Sequence, residues 1–169
     1  MRNDLYWIPA PTAGRLAIMP RPRGGDWLED EVRAWRSAGV DVVLSLLTPG
    51  EIAELDLAEE ASICNALGIE FLTFPIPDRG IPSGREAVLR LAIDLRQGLT
   101  EGKSIAIHCR QGIGRAAMIA ICVLIAMGLD PKVALAQVST ARGIPVPETV
   151  EQQRWTVEFA KEPSVLVSK

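Results

Sequence analysis

Hydrophobic positions along the chain fall into two kinds of segment. Short apolar runs such as Val40–Leu47 and Ile69–Phe74 are typical of strands covered on both faces of a sheet. Between these runs, apolar residues recur at helical spacing, as Leu28, Val32 and Trp35 do. The predicted strands cover residues 5–8, 15–19, 40–47, 69–74 and 104–108. The predicted helices cover residues 26–38, capped by Asp26, then 49–67, 84–99 and 114–127, with two more starting at Asp130-Pro131 and Pro147-Glu148.

Strands that alternate with helices predict an α/β fold with a central, mainly parallel sheet flanked by helices. The 169 residues contain no repeat, low-complexity tract or linker, so we expect a single domain over residues 1–169. In sheets of this kind, ligands bind beyond the carboxyl ends of the strands. The junction after the strand that ends at His108 is therefore the first place to look for a site.

Charge and composition narrow the class of protein further. The chain has 18 Lys plus Arg against 21 Asp plus Glu, and this net charge of −3 argues against a general nucleic-acid surface. The longest apolar run, Ala116–Met127, is shorter than the roughly 20 residues that a membrane span needs. No signal-peptide core follows Met1. We expect a cytoplasmic monomer that binds neither nucleic acid nor membrane.

The single histidine and the three cysteines limit the possible chemistry. Cys64, Cys109 and Cys122 are far apart, and a zinc site needs several closely spaced His or Cys ligands. The sequence therefore predicts no metal and no cofactor. An odd number of cysteines without a pairing pattern indicates free thiols in a reducing compartment. Cys64 and Cys122 lie in apolar helical settings and are expected to be buried structural thiols, and His108 is the only imidazole available for catalysis.

Residues 107–115 read Ile-His-Cys-Arg-Gln-Gly-Ile-Gly-Arg, between a predicted strand and a predicted helix. A loop bent around a helix N-terminus turns its backbone N–H groups inward and forms an anion-binding cup. Gly112 and Gly114 supply the backbone conformations that such a bend requires. The helix dipole and the Arg115 guanidinium favour the thiolate form of Cys109. Arg115 can also hold two oxygens of a phosphate group.

Three other interpretations of this segment remain open. Gly112, Gly114 and Ala117 match the glycine pattern of a dinucleotide-binding turn, although Asp130 follows between two helices rather than after a strand. Cys109 could be a buried structural thiol, the commonest fate of a lone cysteine. A sulfurtransferase loop of the rhodanese type also places a cysteine before backbone amides. The flanking Arg-x-Gly-x-Gly-Arg argues against a structural thiol, and its Gly-x-Gly-Arg ending favours phosphate over sulfur transfer.

The pattern His-Cys-x-x-Gly-x-Gly-Arg resembles the phosphate-binding loop of the cysteine-dependent protein tyrosine and dual-specificity phosphatases. It is most similar to the compact dual-specificity group, including its kinase-associated-phosphatase-like members, and the resemblance extends from about Val40 to Phe159. It implies that Cys109 attacks phosphorus to form a phosphocysteine, which water then hydrolyses. It also implies that Arg115 holds the phosphate and stabilises the transition state.

The resemblance suggests roles for further residues. Asp78, on a Pro-rich loop, is expected to act as general acid and then as base for the attacking water. His108 is expected to hydrogen-bond within the loop and order it. Gln152, with Gln153 as the neighbouring alternative, resembles a glutamine that some members place near the hydrolytic water. The expected phosphate-binding residues are Arg110, Gln111, Gly112, Ile113, Gly114 and Arg115.

The chain departs from the family at Ala116, where Ser or Thr is usual. That hydroxyl normally hydrogen-bonds the cysteine sulfur and helps it to leave from phosphocysteine. The expected function is hydrolysis of phosphate monoesters on a phosphorylated protein or a small phosphoester, with phosphotyrosine first and phosphoserine or phosphothreonine behind. The alternative is a catalytically weak or inactive module that binds phosphorylated partners.

Overall fold

The computed structural model describes residues 4–161, so residues 1–3 and 162–169 lie outside the description that follows. The strands are β1 (Tyr6–Ile8), β2 (Leu16–Pro20), β3 (Val42–Ser45), β4 (Glu70–Thr73) and β5 (Ile105–Cys109). The helices are α1 (Leu28–Ser37), α2 (Pro49–Glu54), α3 (Glu60–Ala66), α4 (Arg85–Thr100), α5 (Arg115–Ala126), α6 (Pro131–Arg142) and α7 (Val150–Ala160).

The strands form one sheet in the order β1-β2-β5-β3-β4. Strand β1 is antiparallel to β2, and the other four strands are parallel. The central strand is β5, where Ile107 lies between Ile18 of β2 and Leu44 of β3. The predicted α/β fold with a mainly parallel sheet is confirmed. The carboxyl ends of β2, β3 and β5 therefore meet at one edge of the sheet.

Apolar side chains cover both faces of the sheet, so β5 and α5 are held rigidly. Ile105 and Ile107 pack on the face with α4 and α5, while Ala106 packs on the face with α1 and α3. All twelve residues of α5 are buried. A strand and a helix buried in this way hold the loop that joins them in a fixed position.

The prediction of one continuous helix over residues 49–67 is wrong, because the structure has two helices there, α2 and α3. Asp56 breaks the pattern with a φ of 57°, in the left-handed region that Asp tolerates better than most residues. Its carbonyl accepts a hydrogen bond from Gly25, and Leu57 is 2% exposed. Burial of Leu57 in the core is a tertiary contact, and helical spacing alone did not reveal it.

Two helix starts also differ from the prediction. Residues 25–27 form a 3-10 turn, so α1 begins at Leu28 and Asp26 provides no cap. The last helix begins at Val150 rather than at Pro147, because Thr149 and Gln152 form a reciprocal capping box. The predicted start at Asp130-Pro131 is confirmed, with the Asp130 carboxylate accepting from the Lys132 N–H at 2.9 Å. Within residues 4–161, no helix has both the length and the apolar character to cross a membrane.

Candidate active site

The junction of β5 and α5 surrounds the sulfur of Cys109 with backbone donors. Cys109 Sγ accepts hydrogen bonds from the N–H of Gly112 at 3.3 Å and of Ala116 at 3.5 Å. Gly112 has a φ of 74°, and a Cβ at this position would lie 2.7 Å from the Met19 carbonyl carbon. Only glycine fits this turn, which bends the loop back over a cysteine that is 3% exposed.

The other two cysteines have a different environment. Burial raises the pKa of Cys64 to about 12, and the nearby Glu60 carboxylate adds to this effect. Burial also raises the pKa of Cys122. Both thiols are completely inaccessible to solvent. Cys109 therefore differs from them in lying against backbone N–H groups at the bottom of an open cavity.

Arg115, the first residue of α5, points its guanidinium into the same cavity. Its Nη1 donates to Glu51 Oε2 at 2.8 Å and to the Ile76 carbonyl at 2.8 Å. Its Nη2 donates to Glu51 Oε1 and to Asp78 Oδ1, both at 2.9 Å. Burial alone would lower the pKa of Arg115, but Glu51, Cys109 and Asp78 together outweigh this effect and raise the pKa. The buried guanidinium therefore remains charged.

Glu51 is a residue of this site that sequence reasoning missed. It lies in the first turn of α2, where its carboxylate accepts from the Thr48 N–H at 2.9 Å in a capping box. Burial opposes its ionisation, but hydrogen bonds from Arg115 and Thr48 outweigh burial and hold the pKa of Glu51 at about 2. The Thr-Pro-Gly-Glu spacing signals the capping box. It does not signal the pairing with Arg115, 64 positions away.

The structure brings Cys109, Arg115 and Asp78 to one cavity of about 90 Å³. The lining residues are Asp78, Arg79, Cys109, Arg110, Gln111, Ile113, Gly114, Arg115 and Glu148. Asp78 is half-exposed at the mouth, and Arg110 Nε lies 3.9 Å from Asp78 Oδ2. Arg110 also pairs with Glu51 and Glu54. The predicted phosphate-binding residues, with the exception of Gly112, therefore form one wall of this cavity, and the loop with Asp78 forms the opposite edge.

His108 lies beneath the loop, fully buried. Its Nε2 is 2.6 Å from Glu60 Oε1 on α3, and no hydrogen-bond partner is found for its Nδ1 within residues 4–161. The expected bond inside the loop is therefore absent from the described residues, and the ring is tied to α3 instead. Glu60, 48 positions away, has no local sequence signal that would have linked it to His108.

Of the two candidate glutamines, only Gln152 touches the loop. A Cβ on Gly114 would lie 3.1 Å and 3.2 Å from the side-chain Oε1 and Nε2 of Gln152. The Nε2 donates to the Gly80 carbonyl at 3.0 Å and so joins α7 to the loop that carries Asp78. Gln153 instead donates to the Pro147 carbonyl.

Glu148 was predicted only as part of the start of the last helix, yet it lies on the cavity wall. Its Oε1 would be 2.9 Å from a Cβ on Gly114, and its Oε2 pairs with Arg79 Nη1 at 3.1 Å. This ion pair joins the segment before α7 to the loop that carries Asp78, across the mouth of the cavity.

A protein-family model matches the part of the chain that holds most of the sheet and the site. The family model described as "Polymorphic toxin system, DSP-PTPase phosphatase" matches residues 17–129. Cyclin-dependent kinase inhibitor 3 from Rattus norvegicus is 25% identical over 134 residues, which cover 78% of this chain and 63% of that protein. The chain therefore spans slightly less than two thirds of the length of this curated relative.

Two solved structures share the fold along almost the whole chain. A kinase associated phosphatase whose catalytic-site cysteine was replaced by serine has a TM-score of 0.85 at 19% identity, covering 98% of this chain and 96% of that one. The active form of Tk-PTP has a TM-score of 0.77 at 27% identity, covering 96% of this chain and 99% of that one. At 19% identity, the first likeness concerns the fold alone.

Proposed function

We propose that this chain hydrolyses phosphate monoesters through a covalent intermediate on Cys109. The chain belongs to the DSP-PTPase phosphatases of polymorphic toxin systems, and this membership supports the proposal. The observation that carries this proposal is the position of Cys109 Sγ. It lies at the bottom of a 90 Å³ cavity, against backbone N–H groups and in the same cavity as the Arg115 guanidinium. A nucleophile in an anion-binding cup suits attack on a phosphoryl group.

In the first step, the thiolate of Cys109 attacks phosphorus, and the bond from phosphorus to the leaving oxygen breaks. The leaving oxygen takes a proton from the Asp78 carboxyl group at the mouth of the cavity. In the second step, Asp78 accepts a proton from a water molecule, whose oxygen attacks phosphorus. The bond from phosphorus to sulfur then breaks, and inorganic phosphate and the thiolate are restored.

The contacts of Arg115 support an exchange of partners when substrate binds. Glu51 holds both terminal nitrogens of the guanidinium from the buried side. Asp78 contacts one of them from the exposed side. We propose that the phosphoryl group replaces Asp78 at this nitrogen while Glu51 stays in place. Displacement from Arg115 frees the Asp78 carboxyl group to reach the leaving oxygen.

The depth and size of the cavity support phosphotyrosine as the first substrate. A volume of about 90 Å³ suits a phosphoryl group, with little room for the group that carries it. Cys109 is 3% exposed, so the scissile phosphorus must descend below the rim. The side chain of phosphotyrosine is long enough to reach that depth more easily than those of phosphoserine or phosphothreonine, which we place second.

Trapping of the intermediate tests the proposed function. The enzyme is mixed with an aryl phosphate, denatured rapidly and digested, and the peptides are searched for an added phosphoryl group. We expect the group on the peptide that contains Cys109, and we expect a Cys64→Ala variant to give the same result. Hydrolysis without a labelled Cys109, or no hydrolysis of any phosphate monoester, would contradict the proposal.

Ala116 is the observation that favours the alternative of a phosphate-binding module with weak turnover. Its backbone N–H donates to Cys109 Sγ, but its methyl side chain offers the sulfur no hydroxyl donor. A hydrogen bond to a charged group contributes about 1.5–3 kcal/mol, so an Ala116→Ser variant is expected to break down phosphocysteine roughly 10- to 100-fold faster. Burst and steady-state phases of aryl phosphate hydrolysis measure this rate.

The control for Ala116→Ser is Ala117→Ser, which adds the same hydroxyl one position further along α5. Both alanines are fully buried, so both variants introduce a hydroxyl into the core. Of these two alanines, only Ala116 hydrogen-bonds the sulfur, through its backbone N–H. An equal steady-state rate in wild type and Ala116→Ser, with an unchanged burst, would show that the missing hydroxyl does not limit turnover.

A further inference from the structure

The loop that carries Asp78 is anchored in the core on the amino-terminal side of that residue. Ile76 is fully buried, its N–H donates to the Leu46 carbonyl at 3.0 Å, and its own carbonyl accepts from Arg115 at 2.8 Å. Asp78 itself is half-exposed and contacts Arg115 Nη2 at 2.9 Å. Under the proposed function, the phosphoryl group takes this nitrogen from Asp78. Other contacts must then hold the Asp78 carboxyl group at the leaving oxygen.

On the carboxyl-terminal side of Asp78, two contacts tie the loop to the start of α7. Arg79 Nη1 pairs with Glu148 Oε2 at 3.1 Å, across the mouth of the cavity. The Gly80 carbonyl accepts from Gln152 Nε2 at 3.0 Å, and Gln152 is fully buried. Gln152 also forms part of the capping box that begins α7. The two residues that follow Asp78 are therefore both held by the start of one helix.

Arg79 occupies a backbone position that suits glycine better than arginine. The Gly80 N–H donates to the Pro77 carbonyl at 2.8 Å, so residues 77–80 form a tight turn with Arg79 as its third residue. Arg79 has a φ of 59°, in the left-handed region, where a side chain adds strain. An exposed ion pair contributes little to stability in return. Stability alone therefore gives no reason for arginine at this position, which directly follows the proposed acid, Asp78.

We propose that Arg79 and Glu148 are positioning residues for the Asp78 carboxyl group. Their ion pair holds the turn against the start of α7 when the phosphoryl group displaces Asp78 from Arg115. The carboxyl group then stays within reach of the leaving oxygen and does not swing out into solvent. This inference rests on the proposed function, since it concerns the proton donor of that reaction. The ion pair therefore matters most for substrates whose leaving group needs a proton.

Two aryl phosphates with different leaving groups test this inference. Nitrophenolate is a weak base that leaves with little help from an acid, whereas the phenolate of phenyl phosphate needs a proton as it leaves. The ratio kcat/KM reports the steps up to phosphocysteine. In Arg79→Gln, we expect the loss of kcat/KM on phenyl phosphate to exceed the loss on p-nitrophenyl phosphate by about 10-fold. The conservative variant Arg79→Lys, which keeps the charge, is expected to restore most of this difference.

Two further comparisons show whether Arg79 acts through Asp78. The control Arg90→Gln removes an exposed arginine that pairs with Glu86 on α4, and it is expected to keep the wild-type ratio of the two kcat/KM values. In the Asp78→Asn background the acid is already absent. There, Arg79→Gln is expected to change this ratio by less than about twofold, because the two residues act as a unit.

A stability measurement separates positioning from folding. Arg79→Gly removes the ion pair and also relieves the left-handed strain, so we expect a melting temperature no lower than that of wild type together with the same selective loss on phenyl phosphate. An equal loss on both esters, or a selective loss that persists in the Asp78→Asn background, would overturn the inference and leave the phosphatase activity intact. Failure of the wild type to hydrolyse either ester would instead contradict the proposed function and, with it, this role of Arg79.

Discussion

Replacement of Cys109 by serine is expected to reduce phosphate ester hydrolysis by about 10⁴-fold or more, the scale seen when a nucleophile is removed from a catalytic unit. A serine hydroxyl is protonated at neutral pH, and within residues 4–161 the groups that hydrogen-bond the Cys109 sulfur are backbone N–H donors rather than a base that could activate a hydroxyl. The donors that we propose to hold the phosphoryl group are unaffected, because they are backbone N–H groups and the Arg115 guanidinium. Steady-state rates on an aryl phosphate measure the loss.

Ligand binding provides the second readout for this variant. We expect Cys109→Ser to bind inorganic phosphate as tightly as wild type within about threefold, seen as an equal rise in melting temperature with added phosphate. Cys64→Ala, which alters a buried thiol away from the cavity, is expected to keep wild-type turnover. Turnover by Cys109→Ser at a rate close to wild type would show that another group is the nucleophile.

Replacement of Glu51 by glutamine is expected to reduce kcat by roughly 10²- to 10³-fold, although Glu51 itself does not line the catalytic cavity. The carboxylate accepts hydrogen bonds from both terminal nitrogens of Arg115. An amide keeps one acceptor oxygen and turns N–H donors towards the other guanidinium nitrogen. The guanidinium then loses the orientation in which it meets the phosphoryl group.

Stability is expected to change with the same substitution, and the change depends on pH. In the folded protein the pKa of Glu51 is lowered from 4.5 to about 2, which corresponds to roughly 3 kcal/mol. A lowered pKa stabilises the fold above pH 4.5, and this contribution is lost as the pH falls from 4.5 to about 2. Wild type should therefore exceed Glu51→Gln by about 3 kcal/mol in the free energy of unfolding at neutral pH, and the difference should shrink below pH 4.5.

The matched control for this prediction is Glu54→Gln, three positions further along α2. Glu54 is exposed, and its ion-pair partner within residues 4–161 is Arg110. An exposed ion pair contributes little, so we expect less than about 1 kcal/mol of destabilisation. Denaturant unfolding at several pH values and aryl phosphate turnover measure both variants. Equal effects of the two substitutions would contradict a specific role of Glu51 in positioning Arg115.

Local chemistry explains why the central part of the site was predictable. The strand, the glycine-bearing turn and the helix lie within residues 105–126, so contacts between neighbours along the chain decide their geometry. Cys109 and Arg115 are held at one cup by this continuous segment. The order of strands and helices was likewise predictable, since each element carries its own hydrophobic period. Helix ends were less predictable, as the break at Asp56 shows.

The sequence by itself determined the alternation of strands and helices, the glycine-bearing turn between β5 and α5, and the distinction between Cys109 in that turn and the two cysteines in helices. Only the tertiary structure decided which distant groups hold the turn. Glu51 meets Arg115, Glu60 meets His108 and Arg142 meets the loop carbonyls, and each pair is joined across 30 or more positions. Such pairs leave no periodic pattern, because the packing of α2, α3 and α6 around the loop after β5 brings together residues that are distant in the sequence.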